Sequence, residues 1–446
     1  MSSLPRRLAM VGLILAASVA SAQSIAETDG VTPTASPAGA TTTTTPSAAA
    51  PATPAPTAPA PAADEEAAAP REWFGQNNPW QNWTQATGDW NLTRNRLSER
   101  GIDFALSAAS DTSRIDPSNA PTGTFGRGLF DAVALIDLEK LSGVRGAMIG
   151  VRAQAKAGPN VAPLAGDHQG FSNMDASRVT NVYEVWWEQW ILRERLQVKF
   201  GRMDSNNDFA GTVVGSDFIN SSMGFSPTIL FFPSFPAPRM AVNVMYAPHW
   251  TTEFRVGVYD GLETDSDRSP DPGHDLLLLA QAGTSWRLGG RPGRATAGLW
   301  HHTGTMTRLD RDELTEGATG PFATFEQTLA QRSTGAMRRL AMFAQYGSAD
   351  ARVHEIARHV GGGLVLTGPH ARRADDKIGL GVTMVRLSDQ VFDDTEDGWE
   401  VVTEAFYRFQ LTKWFGIQPD VQFMRHGHDT AGHSGVFATC RLVVDF

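Results

Sequence analysis

The feature that most constrains this chain is a two-residue alternation of apolar and polar side chains, which dominates from about residue 102 to the C terminus. The last predicted strand shows it most clearly, with Thr439, Arg441 and Asp445 on one face and, on the other, Val436, Ala438, Cys440, Leu442, Val444 and Phe446. Successive side chains of a β-strand point to opposite faces. The pattern therefore predicts many strands, each with one apolar and one polar face.

The connections between these strands differ in length in a regular way. We predict sixteen strands, at 102–110, 129–138, 146–156, 182–192, 195–201, 240–247, 252–260, 275–286, 294–301, 322–329, 339–347, 353–366, 376–387, 398–410, 414–424 and 436–446. Connections after odd-numbered strands are generally long and those after even-numbered strands are mostly tight, although the connection near 347–353 departs from this trend. An even strand number with short turns at one end and long loops at the other is typical of transmembrane barrels. The predicted fold is all-β: a closed, antiparallel, 16-stranded transmembrane β-barrel.

The placement of aromatic residues supports the same fold. Trp250, Trp286, Trp399 and Trp414 lie at or beside predicted strand ends, where barrels carry aromatic girdles at the membrane interfaces. The terminal Phe446, on an amphipathic last strand, resembles an outer-membrane assembly signal. Closure of the barrel is expected because an open sheet edge in lipid would leave backbone groups unpaired.

The first 101 residues predict export and a linker. Arg6 and Arg7 precede an apolar stretch over 8–20, and Ala22 ends an Ala-Ser-Ala cleavage pattern, so we predict a signal peptide over 1–22 and Sec-type export. Residues 23–70 are almost entirely Ala, Pro, Thr and Ser, which predicts a disordered linker. Residues 71–101 predict a short helical segment ended by Gly101, and the barrel fills 102–446.

Composition excludes several classes of partner and site. The net charge of −10 argues against nucleic acid as a partner, and the single cysteine, Cys440, leaves no disulfide framework or thiolate metal site. Two patterns suggest a metal: Asp393, Thr395 and Asp397 with Glu404 fit calcium-ligand spacing loosely, and three histidines lie near the last connection, His426, His428 and His433. A strand follows the first pattern and a solvated turn explains the second, so we expect no metal and no cofactor.

Several motifs occur in the order found in one known family. They begin with Gly88-Asp89-Trp90 and Leu97-Ser98-Glu99-Arg100-Gly101-Ile102, and continue with Asp137-Leu138-Glu139-Lys140-Leu141-Ser142-Gly143, Tyr183-Glu184-Val185-Trp186-Trp187-Glu188-Gln189, Gly201-Arg202-Met203-Asp204, Gly257-Val258-Tyr259-Asp260-Gly261 and Ile417-Gln418-Pro419-Asp420-Val421-Gln422. Over residues 88–446 the chain resembles carbohydrate-selective porins of the OprB type. It departs from them in its Pro/Ala-rich linker, in Asn91-Leu92 and in its histidine-rich last loop.

The resemblance implies a 16-stranded barrel in the outer membrane of a Gram-negative bacterium that lets mono- and oligosaccharides diffuse passively into the periplasm, without catalysis. The implied partners are sugars and outer-membrane lipid, and both a monomer and a homo-oligomer stay open. The linker, which is not part of the resemblance, either reaches peptidoglycan or is a spacer without a partner. One alternative is an outer-membrane barrel enzyme, such as a phospholipase or protease; no G-x-S-x-G motif occurs, and His301-His302 is the only hint of it. A second alternative is a structural barrel tethered to the cell wall.

The candidate pore-lining residues come from one long connection and two strands. The connection over 202–239 carries Asp204, Asp208 and Asp217 among several Phe residues; it either folds into the barrel or packs outside on its own aromatics. In the strand 182–192, inward-facing Trp and Glu would form a sugar track, because indoles stack on sugar C–H faces and carboxylates bind hydroxyls. This assignment places Tyr183 toward lipid. The predicted set is Arg152, Lys156, Glu184, Trp186, Glu188, Trp190, Arg202 and Asp208. The alternatives are that such charges only solvate the lumen, or that a one-residue slip in register inverts the faces.

Overall fold

The computed structural model describes residues 70–117, 122–261, 275–311, 313–332, 338–390, 398–426 and 434–446. The predicted signal peptide and nearly all of the predicted linker lie outside the described residues. So do Asp393, Thr395 and Asp397 of the calcium-like pattern, and His428 and His433 of the histidine group.

The described chain forms one closed barrel of sixteen antiparallel strands, in which each strand pairs with the next and β1 pairs with β16. The strands are β1 Ile102–Pro117, β2 Gly123–Asp137, β3 Ala147–Ala157, β4 Val179–Ile191, β5 Leu196–Met203, β6 Arg239–His249, β7 Thr252–Asp260, β8 Leu276–Leu288, β9 Arg291–Thr307, β10 Leu314–Gln331, β11 Arg339–Ser348, β12 Ile356–Thr367, β13 Lys377–Leu387, β14 Trp399–Gln410, β15 Phe415–His426 and β16 Gly435–Asp445. Among the described residues, no helix has the length and apolar character needed to cross a membrane. The predicted fold class is confirmed.

Short helices occupy the connections and the N-terminal segment. They are α1 Thr93–Glu99, α2 Leu138–Ser142, α3 Ala162–Ala165 and α4 Ser221–Gly224, with 3-10 turns at Trp80–Asn82, Ser205–Asn207 and Gly215–Asp217. Helix α1 begins at Thr93 because Trp90, Asn91 and Leu92 all adopt left-handed backbone conformations, which a right-handed helix excludes. Helix α2 begins where the Asp137 carboxylate accepts hydrogen bonds from two backbone amides.

The two faces of the strands have opposite surroundings. In β16 Val436, Cys440 and Leu442 are exposed, whereas Phe437 and Arg441 are buried. The same alternation places a belt of exposed large apolar side chains on the outside of the barrel and most of its charged strand residues inside. This arrangement is the reverse of a soluble protein and suits a barrel surrounded by hydrocarbon.

The N-terminal segment, residues 70–101, packs against the seam where the ring closes, and we call it the cap. The Trp80 and Trp414 rings lie 4.4 Å apart between centroids, and the Ala86 amide donates to the Asp445 carbonyl at 2.7 Å. The Arg94 guanidinium donates to the Phe446 carbonyl at 3.0 Å and to the Phe104 carbonyl at 3.3 Å. The cap therefore contacts both the first and the last strand.

The tenth strand is longer than its sequence pattern suggested. It was predicted over 322–329 and spans Leu314–Gln331. Its first half contains Gly317, Gly320 and Pro321, and its pairing with β9 shifts register between Glu316 and Ala318. Glycine, proline and a β-bulge all interrupt the two-residue alternation, so this half carries no clear strand signal.

Candidate functional site

The longest connection, residues 204–238 between β5 and β6, lies inside the barrel. Its Asp204 amide donates to Glu184 of β4 at 2.9 Å, and its Ala210 amide donates to Gln281 of β8 at 3.0 Å. Farther along, the Asn220 amide donates to Glu404 of β14 at 3.0 Å. These strands lie far apart around the ring, so one connection can reach all three only by crossing the lumen. Of the two predicted placements, the structure has the inward one.

A buried ion cluster binds this connection to the far wall. The Lys377 ammonium donates to both Asp217 carboxylate oxygens, at 2.7 and 2.8 Å, and Arg408 reaches the same carboxylate at 3.3 Å. Next to it, the Phe218 ring packs edge-on against Phe406 with centroids 5.0 Å apart. The Asp217 carboxylate is thus neutralised by two cations from the barrel wall, and the adjacent Phe218 side chain buries apolar surface against the same wall.

A second inward connection covers residues 158–178, between β3 and β4. Gln169 donates to the Glu400 side chain at 3.0 Å, Gln422 donates to the Phe171 carbonyl at 3.0 Å, and the Phe171 ring packs on Phe437. Sequence reasoning missed this connection. Its packing partners lie on β14 to β16, far along the chain, and no local pattern reports them.

Two ion clusters lie where the 204–238 connection meets β2 to β7. In the first, the Arg152 guanidinium lies between Asp131, at 2.9 Å, and Glu184, at 3.3 Å. In the second, the Asp208 carboxylate accepts from Lys199 at 3.2 Å and from Arg255 at 3.4 Å. We call Arg152, Lys199, Asp204, Asp208 and Arg255 the eyelet.

The two carboxyl groups of the eyelet that lie outside the strands have opposite pKa shifts. Burial, followed by the nearby Glu184 carboxylate, raises the pKa of Asp204 to about 6. Burial alone would also raise the pKa of Asp208, but Lys199 and Arg255 outweigh it, and the pKa lies below its usual value. Asp208 is therefore a fixed negative charge, whereas Asp204 titrates near neutral pH.

Two cavities flank the turn Ser205–Asn207, and each is lined by both polar and apolar side chains. One, of about 140 Å³, is lined in part by Arg152, Gln154 and Asp204. The other, of about 100 Å³, is lined in part by Asp208, Arg255 and Arg294. Asn206 and Asn207 border both cavities. A solute that passes the eyelet therefore meets hydrogen-bond donors and acceptors on both sides of this turn.

Comparison with known proteins identifies the family. A model of the carbohydrate-selective porin, OprB family, matches residues 127–446, which is well over half of the chain. The chain belongs to the OprB family of carbohydrate-selective porins. It is an outer-membrane porin for carbohydrates, as its sequence predicted, and the family consists of channels rather than enzymes.

Individual relatives agree with this assignment. Porin B of Pseudomonas aeruginosa is 24% identical over 419 residues, which cover 80% of this chain and 89% of that protein. A high-pH structure of Pseudomonas putida OprB matches with a TM-score of 0.73 at 20% identity, covering 83% of this chain and 100% of that one. The low-pH structure of the same protein matches with a TM-score of 0.56 at 20% identity, covering 82% and 99%. These structures show the shared fold.

The porin brings together some of the predicted site residues. Arg152, Glu184 and Asp208 lie in or beside the eyelet. Lys156 lies at the end of β3, where its ammonium donates to the carbonyls of Gly158 and Pro159. Glu188 and Trp190 form a separate pair toward the other end of β4, with the indole nitrogen donating to the carboxylate at 2.6 Å.

Trp186 does not offer an open face for a sugar. The indole lies directly against Gly150, where an added Cβ would be 2.2 Å from the ring, and the Lys199 ammonium lies 4.6 Å from its centroid. Its exposed fraction is 4%. Because both faces are covered, Trp186 supports Lys199 rather than forming part of an open track.

Two further expectations about side-chain direction need correction. Tyr183 was expected to face lipid, but it is buried and donates to Asp204, because a bulge between Arg152 and Ala153 shifts the pairing of β4 with β3. Arg202 shares a face of β5 with the exposed Phe200, opposite the buried Lys199. The structure therefore does not bring Arg202 into the eyelet.

Sequence reasoning missed Arg255 and Arg294. The Glu253 carboxylate accepts from Arg255 at 3.4 Å and also pairs with Arg294. The signal was present in β7, where Glu253 and Arg255 alternate with the exposed Phe254 and Val256. Charged residues at alternate positions of a lipid-facing strand must point inward.

The histidine pair that suggested an enzyme does not form one site. His301 is exposed and bonds Thr319, whereas His302 is buried with its Nε2 atom 2.7 Å from the Gly261 carbonyl oxygen. Neighbouring residues of one strand point to opposite faces, so the two rings lie on opposite sides of the barrel wall.

Proposed function

We propose that small neutral sugars diffuse passively through the lumen of this porin and are selected at the eyelet. The observation that carries the proposal is the pair of cavities on either side of Asn206 and Asn207, each of which has polar groups in its lining. Sugar hydroxyls both donate and accept hydrogen bonds, and these cavities offer guanidinium, amide and carboxylate groups within one narrow path.

The charge arrangement favours neutral solutes over ions. Every cation of the eyelet is ion-paired: Arg152 with two carboxylates, and Lys199 and Arg255 with Asp208. A hydrated ion would have to lose water without gaining an unpaired counter-charge, whereas a sugar exchanges water for fixed polar groups. We include Arg152, Glu184 and Asp208 among the residues that contact the sugar, with Lys156, Glu188 and Trp190 lining the path on either side.

Arg255→Met tests this proposal in planar bilayers. It removes a guanidinium that borders a cavity while Asp208 keeps Lys199 and Asn243 as partners. We expect the hexose concentration that half-blocks the current to rise about tenfold, as for the loss of one charged hydrogen bond. Arg311→Met, at an exposed site, is the matched control and should behave as wild type. A hexose block that is absent from the unmodified protein, or unchanged in Arg255→Met, would contradict selection at the eyelet.

We also propose the finer points of export and envelope contact. Residues 1–22 would be removed after Sec-type export, the outer face would contact lipid, and residues 23–70 would reach toward peptidoglycan. The N-terminal residue of the mature protein tests the first point. Co-sedimentation with purified sacculi, with and without residues 23–70, tests the third, and native mass spectrometry distinguishes a monomer from a homo-oligomer.

A further inference from the structure

Exposed basic side chains surround the barrel at the end that carries the short turns and the cap. They occur in the cap and in five turns, those that follow β2, β4, β10, β12 and β14, and at both sides of the β8–β9 turn. We call this set the basic rim: Arg71, Arg96, Arg100, Lys140, Arg145, Arg193, Arg195, Arg287, Arg291, Arg332, Arg372 and Lys413. In barrels of this type the short turns face the periplasm.

The side chains of the basic rim lie near a few acidic residues in the sequence, such as Glu72, Glu99 and Glu194, but in the described part of the chain they form no ion pair with them. Over the ranges that the structure describes, none of the twelve side chains forms an ion pair. The contacts that three of them make are to neutral carbonyls: Lys140 to Ser98, Arg287 to Gly290 and Arg291 to Leu329. A set of basic side chains without ion-pair partners makes this end of the barrel attractive to external anions.

Arginines at the opposite end behave differently. Arg308 pairs with Asp310 at 2.7 Å, Arg352 with Asp350 at 2.5 Å, and Arg386 with Asp389 at 3.3 Å. Arg311 also pairs with Glu313, at 3.2 Å. These four outer arginines are neutralised by acidic residues of the protein, whereas on the periplasmic side Arg373 pairs with Asp376 and the twelve rim side chains form no ion pair among the described residues.

The depth of the basic rim indicates what kind of anion it meets. Arg287 directly follows Trp286 near the end of β8, and Arg193 follows the exposed Leu192. Tryptophans at strand ends lie at the boundary between hydrocarbon and headgroups, so the adjacent basic side chains reach the level of the phosphates. The rim is thus continuous with the lipid-facing belt and follows the perimeter of the barrel.

We propose that the basic rim binds the phosphate groups of anionic glycerophospholipids in the periplasmic leaflet of the outer membrane. Guanidinium groups bind phosphate oxygens through two parallel hydrogen bonds, which suits a rim composed mainly of arginine. The bound lipids supply the missing negative charge and set the vertical position of the barrel. Peptidoglycan carboxylates are the competing anion, but they lie beyond the bilayer, away from the perimeter that the rim follows.

The test uses full-length protein in vesicles of phosphatidylcholine that contain a minor fraction of spin-labelled phosphatidylglycerol. We expect the labelled anionic lipid to associate with the barrel about fivefold more strongly than labelled phosphatidylcholine, and the preference to weaken with salt. A variant with Arg193, Arg195, Arg287 and Arg291 all changed to Gln should lose most of it. The matched control changes Arg308, Arg311, Arg352 and Arg386 to Gln and should keep it.

Two further measurements make the result decisive. Unchanged single-channel conductance would show that the rim variant still forms the barrel. The proposal would be overturned if the variant with four rim arginines changed to Gln kept its preference for phosphatidylglycerol. It would also be overturned if that variant kept this preference and lost binding to purified peptidoglycan. The outcome does not depend on sugar selection at the eyelet, since the rim contributes no residue to it.

Discussion

At the scale of single residues, the eyelet shows how one connection carries two carboxyl groups with different chemistry. Asp204 and Asp208 lie four positions apart, yet Asp204 is buried beside the Glu184 carboxylate, whereas Asp208 lies beside two cations. The sequence gives them the same side chain. Only the walls that they meet, β4 for Asp204 and β5 with β7 for Asp208, make one titratable and the other permanently charged.

Asp204 predicts a pH-dependent ion selectivity. Because its pKa is raised to about 6, the carboxyl is neutral below that pH and gains a negative charge as the pH rises through it. We therefore expect cation selectivity, measured as the reversal potential in a salt gradient, to increase between about pH 5 and pH 7. Asp204→Asn should remove this step, and Asp310→Asn, at an exposed outer site, should keep it.

The raised pKa of Asp204 also makes the stability of the folded protein depend on pH. The folded protein binds the Asp204 proton more tightly than the unfolded chain does, since the usual aspartate pKa is 3.8 and the folded one is about 6. Stability from this group is therefore greatest below pH 4 and falls as the pH rises toward 6. A selectivity step that persists in Asp204→Asn would assign it to another group.

At the scale of elements, the inward connection depends on a few charged contacts with the far wall. Asp217 lies between Lys377 of β13 and Arg408 of β14. We expect Asp217→Asn to weaken this attachment by about 3 kcal/mol, because it leaves two buried cations without their carboxylate. The connection should then leave the lumen more often, so that single-channel conductance rises and hexose block weakens.

A matched variant separates this effect from a general loss of charge. Asp389→Asn also removes a carboxylate that pairs with an arginine, but at an exposed outer position. Its conductance and hexose block should match the wild type. Liposome swelling with sugars of increasing size provides the second readout, and an unchanged size limit in Asp217→Asn would show that the connection does not narrow the pore.

The elements also show what the sequence could and could not predict. Alternation along each strand predicted sixteen strands and the inward direction of Arg152 and Glu184, because one strand contains all of that information. It failed at Tyr183, where a bulge against β3 changes the face, and at Trp186, whose ring is covered by Gly150 and Lys199 from two neighbouring strands. Contacts between strands and folded-in connections depend on register and tertiary packing, which no local pattern encodes.

At the scale of the whole molecule, ring closure brings together the two ends of the barrel sequence. β16 pairs along its whole length with residues 107–117 of β1, and the Ser113 and Thr439 hydroxyls lie 2.8 Å apart across the seam. The cap lies at the other end of this seam. It is the only described segment outside the strands that contacts both Phe104 of β1 and the C-terminal Phe446.

Arg94 is the side chain through which the cap joins these two ends. Its guanidinium donates to the Phe446 and Phe104 carbonyls and lies over the Trp90 ring at 4.3 Å. We expect Arg94→Met to lower the stability of the closed barrel by about 1–2 kcal/mol, because two backbone oxygens, of Phe104 and of the terminal Phe446, lose a charged donor at a partly solvated site. The measurement is the temperature at which the heat-resistant barrel unfolds in detergent, with hydrogen exchange over residues 70–101 to follow the cap.

Arg96→Met is the appropriate control, because Arg96 lies on the same helix and is exposed. It should leave both the unfolding temperature and the exchange of the cap unchanged. If Arg94→Met frees the cap to exchange while the barrel unfolds at the wild-type temperature, the cap does not stabilise the seam. If both change together, closure of this porin depends on the segment before its first strand as well as on the pairing of β1 with β16.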